Sequence, residues 1–114
     1  MYDNQTVTSK SFTLPPATPI LVAALNPNRQ LLILAVTGPA PAAFKFGSAP
    51  TSAIDGITLG AASVSGEQGG SLLLTRHSET IESFCPVDAV YAYSSLGTTV
   101  SVSEGVEAHF FYNR

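Results

Sequence analysis

Short apolar segments separated by turn residues recur along the whole chain. Val, Ile, Leu, Phe and Tyr cluster in these segments, while Gly, Pro, Asn and Asp lie between them. Gly and Pro interrupt the chain so often that long helices have no room to form. The pattern predicts strands at about Ser9–Leu14, Ile20–Leu25, Leu31–Thr37, Ala43–Phe46, Ile57–Leu59, Ser71–Thr75, Glu79–Phe84, Val90–Ser94, Thr99–Glu104 and Glu107–Tyr112. Many short strands at this spacing predict an all-β fold, a single antiparallel β-sandwich that is jelly-roll-like.

The predicted strand Leu31–Thr37 is apolar on both faces. Side chains alternate along a strand, so Leu31 and Ile33 face away from Leu32. A sandwich strand needs only one apolar face, the one that packs on the core. We therefore expect the second face to be covered, either by a loop or the N-terminal arm of the same chain or by another subunit.

The two ends of the chain differ in character. Residues Met1–Lys10 are polar and precede the first predicted strand, which is typical of an arm that is disordered when free. This divides the chain into an arm at residues 1–10 and a β-sandwich domain at residues 11–114. Near the C-terminus, Phe111 falls on the polar face of its predicted strand, where it either anchors a neighbouring subunit or is capped by the arm.

Charged side chains are scarce. Asp, Glu, Lys and Arg make up 11% of the chain, against about 25% in soluble domains. An independent globule needs a charged surface, so we expect part of this surface to be buried against a protein partner. The side chains predicted to make that contact are Tyr2, Val7, Phe12, Tyr91, Tyr93 and Phe111.

The same composition argues against several classes of partner. The net charge is -3 and the basic residues are scattered, which argues against binding nucleic acid. No apolar stretch reaches the roughly 18 residues of a membrane span. The segment Met1–Gln5 lacks the basic start and apolar core of a signal peptide. We therefore expect neither nucleic acid nor a membrane as a partner.

Candidate catalytic or metal-binding groups are few. His77, Glu79 and Glu82 form the only cluster with ligand character, but on a strand Glu82 faces away from the other two. Cys85 is followed directly by Pro86 and lies in no recognised nucleophile turn, which favours a buried apolar role. Neither a Gly-x-Ser-x-Gly elbow nor a phosphate-binding loop is present. We expect no enzymatic activity, no cofactor and no metal.

Carbohydrate binding is the main alternative, because lectin domains are often jelly rolls. Tyr91 and Tyr93 share one face of their predicted strand, where they are placed to stack on a sugar. The chain has no Trp, however, and its four Tyr and six Phe must also build the core. Core packing or a subunit interface is therefore the favoured role of this pair.

Four segments of the chain, taken in order, resemble segments found in one protein family. They are NRQLLI at 28–33, FKFGS at 44–48, GITL at 56–59 and VYAYSSLGTTVSV at 90–102. In this order they resemble segments of small β-sandwich virion structural proteins of tailed bacteriophages, over about residues 26–104. The Gly-rich loop Gly60–Gly70 and the predicted strand Glu107–Tyr112 depart from that pattern.

The resemblance implies a virion structural role, such as a capsid cement or decoration protein that binds and stabilises the shell of major capsid protein. We expect such a protein to form a homo-oligomer on the capsid surface, after assembly in the host cytoplasm. No catalytic residues carry over, because the shared pattern is a folding pattern. A tail, fibre or minor head component is the other role that the resemblance leaves open.

Overall fold

The computed structural model of the protein describes residues 5–64, 67–75 and 85–107. These ranges hold eight strands and no helix: β1 (Gln5–Leu14), β2 (Ile20–Ala23), β3 (Arg29–Val36), β4 (Ala42–Phe46), β5 (Ile57–Leu59), β6 (Ser71–Thr75), β7 (Val90–Tyr93) and β8 (Thr98–Glu107). The predicted strand Glu79–Phe84 lies outside the described residues. So does the predicted strand Glu107–Tyr112, apart from Glu107, which ends β8.

The strands form two antiparallel sheets. Sheet 1 has the order β1-β8-β3-β6 and sheet 2 has the order β2-β7-β4-β5. The pairs β1–β8, β2–β7, β3–β6 and β4–β5 together make one long hairpin of paired strands. The additional pairings β3–β8 and β4–β7 roll that hairpin into two sheets, which is the jelly-roll arrangement. The predicted all-β, jelly-roll-like sandwich is confirmed.

The core lies between the two sheets. The buried apolar side chains at its centre are Leu14, Leu32, Leu34, Val36, Val100 and Val102 of sheet 1 and Val22, Phe44, Leu59, Val90 and Ala92 of sheet 2. Fully burying one Leu, Val or Phe side chain stabilises a fold by about 1.5–3 kcal/mol, so this cluster is the main source of stability. Leu31 and Ile33 point away from it, as the alternation along β3 predicts.

Strand β1 begins at Gln5, four residues before the predicted start at Ser9 (9 − 5 = 4). The segment 5–10, predicted to belong to an arm, pairs in regular register with residues 102–107 of β8. The side chains from Thr6 to Ser11 are all exposed. This half of β1 is therefore held by its pairing with β8 rather than by the core, which is why apolar periodicity does not predict it.

Candidate binding surface

The charged side chains of sheet 1 that the structure describes occupy inward-facing positions. Lys10 of β1, Arg29 of β3 and Glu104 of β8 lie on the same side of the sheet as the core residues. They lie toward one end of sheet 1, where Lys10 is exposed and sheet 2 does not cover β1. A sheet with one solvated face ordinarily points apolar residues inward and charged residues outward. This end of sheet 1 departs from that rule.

Arg29 is fully buried and joins several segments at this end of the molecule. Its Nε donates a hydrogen bond to Oε2 of Glu104 at 2.7 Å. Its Nη1 donates to the carbonyl oxygens of Pro86 at 2.8 Å and Asp88 at 2.9 Å. Its Nη2 donates to the carbonyl oxygen of Ala24 at 2.8 Å. The guanidinium thereby connects β3 to β8, to the loop after β2 and to the loop before β7.

The outer face of sheet 1 carries no charged side chain along four rows of paired residues, and we call it the uncharged face. Its members on β1 and β8 are Val7, Ser9, Ser11, Thr13, Thr99, Ser101, Ser103 and Gly105, and its members on β3 and β6 are Leu31, Ile33, Ala35, Ser71, Leu73 and Thr75. Ser9 and Ser103 share a hydrogen bond of 2.7 Å between their Oγ atoms, which reflects their common face.

An apolar stripe crosses the uncharged face. Ile33 is paired with Leu73 across β3 and β6, and the neighbouring row holds Val7, Gly105 and Leu31. Leu73 is 60% exposed and Val7 is 52% exposed, whereas Leu31 and Ile33 are half-buried. An exposed apolar stripe within a surface that lacks charge is typical of a protein–protein interface.

The outer face of sheet 2 differs because it carries an ion pair. Tyr91 lies in one row with Leu21 of β2 and Lys45 of β4, and Nζ of Lys45 is 3.0 Å from Oδ2 of Asp55. Tyr91 and Tyr93 lie on this face and are both half-buried. Half-buried rings offer a sugar less stacking surface than exposed rings do.

Asp55 has a perturbed carboxyl group. The backbone N–H of Thr51 donates a hydrogen bond to Oδ2 of Asp55 at 2.9 Å. This bond, together with the bonds from the Lys45 ammonium, holds the pKa of the Asp55 carboxyl below its usual value of 3.8. The carboxylate of Asp55 stabilises local structure, since its hydrogen-bond partners lie on β4 and in the loop between β4 and β5.

A shallow cleft lies where β1 and β8 extend past β2. Its volume is about 360 Å³, and its lining residues are Thr8, Lys10, Phe12, Leu21, Val22, Ala23, Ala24, Val102 and Glu104. Lys10 and Glu104 are the two charged groups of this lining. Ligand sites are usually lined by apolar side chains with a few polar groups that orient the ligand. Of the two charged groups here, Glu104 already accepts a hydrogen bond from Arg29.

The four predicted contact residues that the structure describes lie in three different places. Val7 belongs to the uncharged face, while Tyr91 and Tyr93 lie on the outer face of sheet 2. Phe12 points inward instead, because the alternation along β1 places it on the core side, where it packs against the buried cluster. The structure therefore does not assemble these four side chains into one site.

The remaining candidate residues are largely outside the described ranges. Tyr2, Phe111, His77, Glu79 and Glu82 all lie there. Cys85 is buried. Within residues 5–64, 67–75 and 85–107, no group of three His, Cys, Asp or Glu side chains is placed to hold a metal ion. No helix of the described part is long and apolar enough to cross a membrane.

Comparison with known proteins gives a likeness of fold. No known protein family and no curated protein matches the sequence. Among solved structures, a chain from a study of Bacillus endospore appendages, described as a novel family of disulfide-linked pili, is similar with a TM-score of 0.50 and 17% sequence identity. The match covers 92% of this chain and 88% of that chain. At this identity the likeness concerns the all-β sandwich fold.

Proposed function

We propose that the chain is a non-catalytic structural protein that binds other protein subunits through the uncharged face. One observation carries this proposal. Leu73 and Val7 are exposed, and the rows of paired residues to which they belong hold no charged side chain. Burying such a face removes apolar area from water. None of the described residues of this face is ionised, so the cost of taking a charge out of water does not arise.

Within this class, we propose that the partner is the major capsid protein of a phage shell and that the chain is its cement protein. The support is the resemblance of residues 26–104 to virion structural proteins, together with a charged fraction of 11%. A regular shell offers many equivalent sites, and linked contacts of modest strength then give stable attachment. On this proposal, the protein lies on the capsid surface.

A filament subunit is the second candidate, and the fold likeness to the endospore-appendage structure favours it. That structure is described as disulfide-linked pili. The present sequence has a single cysteine, Cys85, and its side chain is buried. A subunit joined by disulfides to a neighbour on each side needs two cysteines. A filament of this chain would therefore be held by surface contacts.

The substitution Leu73→Lys tests the role of the uncharged face. Leu73 is exposed on the edge strand β6, so a lysine there leaves the core intact and places a charge within the apolar stripe. We expect binding to particles stripped of this chain to weaken by roughly tenfold or more, which corresponds to about 1.4 kcal/mol. Co-sedimentation of purified protein with the stripped particles measures the effect.

Leu96→Lys is the matched control for this experiment. Leu96 is 77% exposed and lies in the turn before β8, outside the four rows of the uncharged face. The control variant should bind as the wild type does. Equal binding by Leu73→Lys and the wild type would refute the proposed contact. Quantitative mass spectrometry of the particles separates a cement protein, present in numbers comparable to the major capsid protein, from a minor component.

A further inference from the structure

Strand β1 forms one edge of sheet 1 and differs from the three other sheet edges. It has ten residues and pairs with β8 without a register shift. By contrast, β2 has four residues and a register shift, β5 has three residues and β6 has five. Natural proteins protect exposed edges with short strands, bulges, prolines or charges. Of these devices β1 has one, the charge of Lys10.

Within the described residues, nothing pairs with the side of β1 that faces away from β8. The side chains of residues 6–11 are exposed on both faces of the sheet, so neither the core nor sheet 2 covers this half of the strand. A strand paired on one side presents a row of backbone N–H and C=O groups, and another strand can pair with that row.

We infer that β1 pairs antiparallel with β1 of a second copy of this chain, which joins two four-stranded sheets into one continuous sheet. The sequence of β1 suits its own copy. A two-fold axis through Ser9 sets Ser9 against Ser9, Val7 against Ser11 and Lys10 against Thr8. Hydroxyl side chains pair favourably across strands, and in this register no like charges are opposed.

This pairing also extends the uncharged face. Side chains of directly paired residues lie on the same face of a sheet, so Ser9 and Val7 of one copy lie beside Ser9 and Ser11 of the other. The uncharged faces of the two copies therefore become one surface. A dimer that binds a partner through this surface makes two contacts at once, which strengthens attachment.

The contact is small by the standard of stable dimers. With the axis through Ser9, residues 5–13 of each β1 strand are paired. Nine residues are about 30 Å long and a sheet is about 10 Å thick, so the two edges bury roughly 600 Å² in total, below the roughly 1,200–2,000 Å² of stable interfaces. The dimer is therefore weak in dilute solution. It forms at high protein concentration, or where an assembly holds two copies side by side.

Disulfide trapping on the purified full chain tests this inference, because a covalent link captures a weak dimer. The variants are Ser9→Cys, Val7→Cys and Ser11→Cys, with Leu96→Cys as the exposed control. A disulfide requires Cα atoms about 4.4–6.8 Å apart, so Ser9→Cys on the two-fold axis should give the most dimer under mild oxidation. Non-reducing electrophoresis and mass spectrometry measure the yield.

A charge substitution at Thr8 distinguishes an effect on pairing between two copies from an effect on the folding of one copy. In the Ser9→Cys background, Thr8→Lys sets a lysine against Lys10 of the second copy and should lower the dimer yield, whereas Thr8→Glu should raise it. Within one copy Thr8 is paired with Glu104 of β8. An effect on folding stability alone would therefore give the opposite order for the two variants.

Two results would overturn the inference. One is that no β1 cysteine forms more dimer than Leu96→Cys does. The other is that Leu73→Cys forms the most dimer, since that places the contact on β6. Both results are independent of the shell-binding experiment, because trapping uses the chain alone and Leu73→Lys is measured on particles.

Discussion

At the scale of the residue, Arg29 holds one end of the molecule together. It is fully buried and donates hydrogen bonds to one carboxylate and three backbone carbonyls. A buried guanidinium is tolerated only when such partners replace its water. Lysine at this position is a poor substitute, because its three N–H donors share one nitrogen, whereas the guanidinium donates from three separate nitrogens to four acceptors.

We expect Arg29→Ala to lower the free energy of unfolding by about 3–5 kcal/mol, because it removes the guanidinium that bonds Glu104 and the three backbone carbonyls. Urea denaturation followed by circular dichroism measures the loss. Lys45→Ala is the control, since the Lys45–Asp55 pair is 35% and 27% exposed and solvent screening keeps the contribution of such a pair small. Equal losses in the two variants would contradict the assigned role.

At the scale of the element, the loop between β4 and β5 is organised by Asp55. Oδ2 of Asp55 accepts hydrogen bonds from the backbone N–H and the Oγ1 hydroxyl of Thr51. Gly56 follows with a φ of +126°, and a side chain there would meet the carbonyl oxygen of Phe44. The backbone can make this turn close to β4 because position 56 carries no Cβ.

We expect the stabilising effect of Asp55 to disappear in acid. The Thr51 N–H, and after it Lys45, lower the pKa of the folded Asp55 carboxyl below its usual value of 3.8. A carboxyl of this kind stabilises the fold above its usual pKa, and the contribution is lost as pH falls through the lowered pKa of the folded state. The difference in unfolding free energy between the wild type and Asp55→Asn should be constant above about pH 5 and shrink below the usual value.

Denaturation of both proteins at a series of pH values measures this difference. A difference that stays constant down to pH values well below the usual pKa would contradict the expected role of the carboxylate. The direction matters as well, since a difference that grows in acid would mean that the pKa of the folded carboxyl is raised.

The two apolar faces of β3 show how one element serves two surfaces. Leu32 and Leu34 are fully buried between the sheets. Leu31 and Ile33 lie on the uncharged face, where Leu73 of β6 is 60% exposed beside Ile33. The alternation along the strand predicts both sets. The assignment of one set to the core required the position of sheet 2.

At the scale of the whole molecule, the two ends of the described chain pair with each other. In the β1–β8 ladder, Leu14 is paired with Thr98 and Gln5 with Glu107, which are 98 − 14 = 84 and 107 − 5 = 102 residues apart. Closing such long loops costs entropy before any contact compensates for it. The long strands β1 and β8 therefore complete their pairing only once distant parts of the chain have met.

We expect refolding from denaturant to take on the order of milliseconds to seconds, as in other all-β domains with distant pairings. Stopped-flow fluorescence of the four tyrosines measures the rate. Val100→Ala provides a test of mechanism, because Val100 is fully buried on β8 opposite Phe12. If the β1–β8 ladder forms after the transition state, this variant should speed unfolding more than it slows refolding. Refolding within microseconds would contradict the expectation.

The sequence by itself determined the fold class, because the signals for it are local. Alternating apolar residues and the Gly and Pro positions predict β4, β5, β6 and β7 to within about one residue. The first half of β1 was missed, since its polar side chains are held by a partner about 100 residues away along the chain. Its pairing partner could not be found from a local pattern.

Tertiary structure alone decided the surfaces. Ser9, Ser103, Ile33 and Leu73 form one row of the uncharged face, yet they are scattered along the chain, and only the strand order brings them together. The burial of Arg29 was decided in the same way, because the acceptors on Glu104 and Pro86 lie 75 and 57 residues away along the chain. Local alternation predicts which residues share a strand face, but the register between strands determines which residues of different strands form one surface.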